Sequence, residues 1–225
     1  MDRAEPQDFV RDNERNLPPT LPQFVQVSRY WDPTIRQYAA KILPGQYYVT
    51  LHGEVVCTVL GSCVSACVRD RTLGIGGMNH FMLPLDTVTG VSNVASDPTV
   101  MGAATRYGNV AMERLINDIL KCGGRRAQLE FKLVGGGKVI KAVSDVGARN
   151  IDFVRQYLEE EGFSVQSEDL GGELPRKVQY FPRTGRLRVM RLLRLHNDTL
   201  LVREKSYLET ARRQSQTGGD VELFK

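Results

Sequence analysis

The chain has 225 residues, 41% of them hydrophobic and 25% charged, with a formal net charge of +4. That is an ordinary globular composition, long enough for one domain with flanking segments and able to bury a core without staples. No stretch approaches the ~20 apolar residues needed to cross a bilayer, and the N-terminal Met1-Asp2-Arg3-Ala4-Glu5-Pro6 is not a secretory segment. The expectation is a cytoplasmic protein with reduced thiols and no membrane insertion.

In chain order, residues 1–43 are polar and proline-rich and read as an extended N-terminal arm, with a short helical piece around 33–42 and Trp31 pinning it to the core. Strands follow at 46–51 and 54–60, separated by a turn at His52-Gly53-Glu54. Val64, Ala66 and Val68 recur at period two, a strand pattern, and 74–83 has the same character. Residues 86–100 read as a surface loop. An amphipathic helix is predicted over 103–121, with Ala104, Tyr107, Ala111, Leu115 and Ile119 on one face, stopped by Gly123-Gly124. A strand at 129–134 runs into Gly135-Gly136-Gly137-Lys138. This lacks the phosphate-loop spacing and reads as a strand-end turn. A second helix over 146–161 puts Ile151, Val154 and Leu158 inward, and a strand at 163–168 follows. Pro182-Arg183-Thr184-Gly185 joins the strands 177–181 and 186–193 as a hairpin. Between Arg176 and Arg213, 11 Lys/Arg stand against 3 Asp/Glu. Without an aromatic-interleaved motif this reads as a solvated face and tail, not a nucleic-acid surface. The predicted fold class is α+β: a layered α/β sandwich of mixed, largely antiparallel sheets with two main flanking helices. The domain proper spans 44–203 and a polar, flexible tail spans 204–225.

The chemistry concentrates at Val56–Pro84, which holds Cys57, Cys63 and Cys67 and one of the three histidines, His80. The cysteines, with Cys122, form no C-x-x-C pair, which argues against zinc and redox motifs. A hairpin turning at Asp70-Arg71-Thr72-Leu73 would set Cys63 directly across from His80, with Cβ atoms about 5 Å apart. A register shift would spoil that opposition. An imidazole facing a thiol is the arrangement of a cysteine nucleophile and its base, and Gly61-Ser62 permits a bend that presents Cys63. Cys57, Cys67 and Cys122 read as small core residues. His52 and His196 have no neighbours that suggest chemistry.

Val59-Leu60-Gly61-Ser62-Cys63-Val64-Ser65-Ala66-Cys67 together with Gly76-Gly77-Met78-Asn79-His80-Phe81-Met82-Leu83-Pro84 resembles the CheD family of chemoreceptor glutamine deamidases. The similarity continues through Arg106-Tyr107-Gly108-Asn109, Gly135-Gly136-Gly137, Gly147-Ala148-Arg149-Asn150 and Asp169-Leu170-Gly171-Gly172, covering roughly 45–195. The resemblance implies a cysteine hydrolase that converts receptor glutamines to glutamates, with Cys63 as nucleophile and His80 as base. The family's upstream threonine matches Thr58, five residues before Cys63; some members carry it six before, where this chain has Cys57. Backbone N–H groups around Gly61, Ser62 and Cys63 would support the oxyanion, and no metal or organic cofactor is required. The implied partners are the cytoplasmic domains of methyl-accepting chemoreceptors, and a CheC-type phosphatase or another chemotaxis protein. Receptor methylesterase activity and a non-catalytic adaptor role are the alternatives the resemblance carries.

Overall fold

The computed structural model describes residues 16–83, 98–139 (with side chains from 107 onward), 146–193, and Val202, Glu204, Ser206 and Tyr207. Residues 1–15 of the arm, His196, most of the tail, and the predicted loop at 86–100 up to residue 97 lie outside the described residues, while 98–100 of that loop are helical. The strands are β1 (Ser28–Asp32), β2 (Gln37–Lys41), β3 (Tyr47–Thr50), β4 (Val55–Leu60), β5 (Val64–Asp70), β6 (Gly76–Asn79), β7 (Leu129–Gly135), β8 (Val165–Leu170), β9 (Arg176–Phe181) and β10 (Arg186–Arg191). Among the described residues the two long helices are α1 (Pro98–Lys121) and α2 (Val146–Glu160). None is long and apolar enough to cross a membrane.

The strands form two five-stranded sheets, ordered β1-β2-β4-β9-β10 and β3-β6-β5-β7-β8. Only β2·β4 and β7·β8 pair in parallel among the described strands, so the mixed, largely antiparallel sandwich is as expected. Period-two alternation sets the layers. In β4, Val56 and Leu60 enter the main core with Val178 and Tyr180 of β9, whereas Val55 and Cys57 turn outward to a small cluster with Ala39. The first sheet thus covers one face of the second. On the other face α1 lies against β3, β5 and β6, and α2 against β5. Leu115 and Ile119 of α1 and Val154 and Leu158 of α2 are buried there.

Helix α1 begins five residues earlier than predicted, at Pro98, a residue suited to the first helical turn. Its end is as read: the Gly123 and Gly124 N–H groups return to the Leu120 and Ile119 carbonyls, with Gly123 at φ 98°.

Three expectations change. The helical piece at 33–42 is instead the second strand of a β1–β2 hairpin. Ala39 and Ala40 are buried in the first sheet, and Arg29 of β1 pairs with the buried Glu54 at 2.8 Å. Trp31 stacks edge-on with Tyr38 of the same hairpin. Cys122 is only partly buried at the end of α1, not a core residue, whereas Cys67 is fully buried. The β5–β6 turn is also longer than the predicted one, with consequences for the site.

Candidate functional site

The turn after β5 closes with the Asp70 N–H donating to the Ile75 carbonyl at 2.8 Å. Asp70 Oδ1 accepts from the Thr72 and Leu73 N–H groups, and Gly74 takes φ 70°. Four residues, Arg71–Gly74, therefore make the turn. The pairing is Cys67↔Met78 and Arg69↔Gly76, continued by a bridge between Val64 and Phe81. In this register Ser65, not Cys63, stands opposite His80. The predicted direct opposition of Cys63 and His80 is corrected to a diagonal one, with the two residues flanking the Val64–Phe81 bridge. A shift of two keeps every side chain on its face, so both remain on the side of β5 and β6 turned toward the first sheet.

The two strands part where this site forms. The Ala66 N–H donates to the Asn79 side-chain Oδ1 at 2.8 Å, where a regular ladder would use the main-chain carbonyl. Asn79 Nδ2 donates in turn to the Ala111 carbonyl of α1. The His80 main chain bonds instead toward β3: its N–H donates to the Gln46 carbonyl at 2.9 Å, and its carbonyl accepts from the Gly45 N–H at 2.7 Å.

The His80 ring reaches the first sheet. Its Nδ1 is 2.8 Å from Thr58 Oγ1, and that hydroxyl donates its single hydrogen to the Ile42 carbonyl at 2.8 Å. Toward His80 the hydroxyl can therefore only accept, so Nδ1 carries the proton and Nε2 carries the lone pair. Nε2 is buried with no hydrogen-bond partner among the described residues. Burial lowers the imidazole pKa to about 3, so at neutral pH the ring is an uncharged base. Alternation along β4 also separates the two positions left open by the sequence: Thr58 faces His80, and Cys57 faces away, with its Sγ 3.4 Å from the Tyr30 hydroxyl.

Cys63 follows the Gly61-Ser62 bend and is fully buried. The Gly135-Gly136-Gly137 run, read as a strand-end turn, is one, and it braces this bend. The Gly136 N–H donates to the Cys63 carbonyl at 2.7 Å and the Gly137 N–H to the Gly61 carbonyl at 2.8 Å. Gly135 has φ 118°, and a Cβ there would overlap the Cys63 carbonyl oxygen. Buried Arg176 holds the run from behind through the Gly135 and Gly171 carbonyls and Asp169.

Two further residues converge here. Asn150 of α2, fully buried, donates from Nδ2 to the Ser62 carbonyl at 2.9 Å and accepts at Oδ1 from the Leu83 N–H at 2.8 Å. It ties together the chain segments carrying Cys63 and His80. Glu204 accepts from the Gly61 N–H at 2.9 Å, from the Ser62 N–H at 3.1 Å and from Ser62 Oγ at 2.7 Å. Burial, and then the Glu204 carboxylate beside it, push the Cys63 thiol well above its ordinary value. Sequence reasoning assigned neither residue a role. Asn150 lay in a stretch quoted only for resemblance, and Glu204 in a segment read as solvated tail. Among the described residues, no group of three or more His, Cys, Asp and Glu is placed to hold a metal ion.

A thiol on a sharp turn, an imidazole held in one tautomer by a threonine, and main-chain N–H groups converging on an anion make up a candidate thiol–imidazole site within an α/β sandwich. The chain belongs to the CheD family. The family model described as CheD chemotactic sensory transduction matches residues 82–191. A protein of Halorhodospira halophila named probable chemoreceptor glutamine deamidase CheD is 54% identical over 208 residues, which is 92% of this chain and 94% of that one. Proteins of the same name from Hahella chejuensis and Methylobacillus flagellatus are 50% and 49% identical, covering 92% and 87% of this chain and 95% and 94% of theirs.

Proposed function

We propose that this chain is a cytoplasmic cysteine amidohydrolase that deamidates glutamine side chains on the cytoplasmic domains of chemoreceptors. The observation that carries the chemistry is the Thr58–His80 hydrogen bond, because it leaves Nε2 as the basic nitrogen on the side of the sheet that Cys63 shares. The substrate class comes from the names of the relatives.

In the reaction, His80 Nε2 takes the Cys63 thiol proton and the thiolate attacks the carboxamide carbon. The oxyanion is received by the Gly61 and Ser62 N–H groups. The imidazolium returns its proton to the departing nitrogen, releasing ammonia and leaving a γ-glutamyl thioester on Cys63. His80 then takes a proton from water, the hydroxide adds to the thioester carbon, and the thiolate leaves and is reprotonated. Glutamate is released and the thiol restored. Thr58 keeps the ring in its productive tautomer throughout.

The test is to incubate the protein with receptor cytoplasmic fragments and follow individual glutamine peptides by mass. Deamidation gives a gain of about one dalton with wild type and none with Cys63→Ala. Loss of a methyl group from receptor methyl esters, without conversion of any glutamine, would instead support methylesterase activity. Equal binding by both proteins with no mass change would mean an adaptor. A CheC-type phosphatase as regulatory partner belongs to the same proposal and is tested by co-purification of the two chains.

A further inference from the structure

Glu204 is fully buried, yet the reaction proposed above does not use it. Its carboxylate takes the Gly61 and Ser62 N–H groups and the Ser62 hydroxyl, the donors that would otherwise receive the oxyanion. Three residues on, Tyr207 meets the Tyr107 hydroxyl of α1 and lies over Gly45, whose N–H holds the His80 carbonyl. The body leaves room for both. A Cβ at Gly61 would come 2.6 Å from Glu204 Oε1, and one at Gly45 would come 2.5 Å from a Tyr207 ring carbon. Cys63 is 0% and His80 1% exposed. A cavity of about 60 Å³ borders His80 between Gly45 and Tyr107, space for a water or two.

A glutamate side chain with its carboxylate on the oxyanion donors is what deamidation of a glutamine would leave behind. We infer that Glu204 and Tyr207 hold the free protein closed, with Glu204 bound in its own site as a tethered analogue of the reaction product. This rests on the deamidase reading, since only there is a glutamate the product. Closure fills the oxyanion donors, and the Glu204 carboxylate adds to burial in raising the Cys63 thiol, opposite to what attack requires. A receptor glutamine must displace a covalently tethered ligand of high local concentration, so turnover is governed by whatever favours release of Glu204 and Tyr207.

The test uses the full chain as wild type, Glu204→Ala and Tyr207→Ala. Two quantities are followed: the rate at which iodoacetamide alkylates Cys63, read by peptide mass, and the deamidation rate of a receptor cytoplasmic fragment. Glu204→Ala should raise Cys63 alkylation by about tenfold or more, the value of one or two charge-assisted hydrogen bonds, and Tyr207→Ala by about threefold or more, the value of a neutral one; both should raise the deamidation rate at low fragment concentration. Tyr207→Ala carries the test alone where loss of the buried carboxylate prevents folding, as judged by circular dichroism. Alkylation at the wild-type rate in the variants that fold overturns the closure, whether or not the fragment is deamidated. Faster alkylation with slower deamidation also overturns it, making Glu204 part of the reaction machinery. Faster alkylation with no deamidation by any of the three proteins supports closure of the thiol and removes the deamidase reading instead.

Discussion

The Thr58 hydroxyl spends its only hydrogen on the Ile42 carbonyl and so meets His80 Nδ1 as an acceptor. This fixes the imidazole tautomer from the opposite sheet. Thr58→Val keeps the shape of the side chain and removes that acceptor. It is expected to lower kcat about a hundredfold or more, the range for a misplaced general base, with little change in KM. Thr58→Ser, which retains the hydroxyl, should recover most of the rate. Equal rates for Val and Ser would remove Thr58 from the chemistry.

His80 also makes stability depend on pH. Its pKa falls from 6.5 to about 3 on folding because the charged ring would be buried. Between these values the unfolded chain binds a proton that the folded protein does not. The stabilisation is therefore fully present above about pH 6.5 and is lost as pH falls toward 3, at up to about 1.4 kcal/mol per pH unit. Urea titrations at pH 7.5 and 5.5 should show a larger drop for wild type than for His80→Gln. Equal drops would mean the ring is not buried uncharged.

Asn150 satisfies the Ser62 carbonyl and the Leu83 N–H at once. Asn150→Ala strands both groups in the interior and is expected to cost about 2 to 5 kcal/mol. It should also slow deamidation, because the segments carrying Cys63 and His80 are no longer tied. Denaturant unfolding and single-turnover rates measure the two effects separately. A fully active, destabilised variant would confine Asn150 to folding.

Glu204→Gln offers a test in which the chain is its own substrate. If the carboxylate occupies the product position, a carboxamide there lies within reach of Cys63. The peptide containing position 204 should gain about one dalton on incubation and should not in the double variant with Cys63→Ala. A carboxamide that persists in the folded protein would show that the pose is not one the thiol can attack.

Much of this arrangement was legible because it depends on local rules. Period two placed Cys63 and His80 on one face, and that parity survived a turn two residues longer than predicted. The error came from Asp70, whose side chain caps the turn; the sequence offers Asp70 and Gly74 but not the bond that selects four residues over two. The same alternation distinguishes Thr58 from Cys57 once β4 is known to sit between the two clusters. The hairpin at 28–41 was missed because Pro33 and the polar residues around it hid short strands whose burial comes from the rest of the sheet. Asn150 and Glu204 were out of reach for a different reason. Their partners lie 88 and 143 residues away, and no periodicity encodes such a meeting.

The candidate nucleophile and base sit at the end of one sheet, while the residue that orients the base belongs to the other. The spacing of the two layers is therefore a kinetic variable. A substitution among Val56, Val178 or Tyr180, none of them at the thiol, would move Thr58 relative to His80 and be felt in turnover as well as in stability. Inter-sheet packing here doubles as the bearing on which the imidazole is aligned.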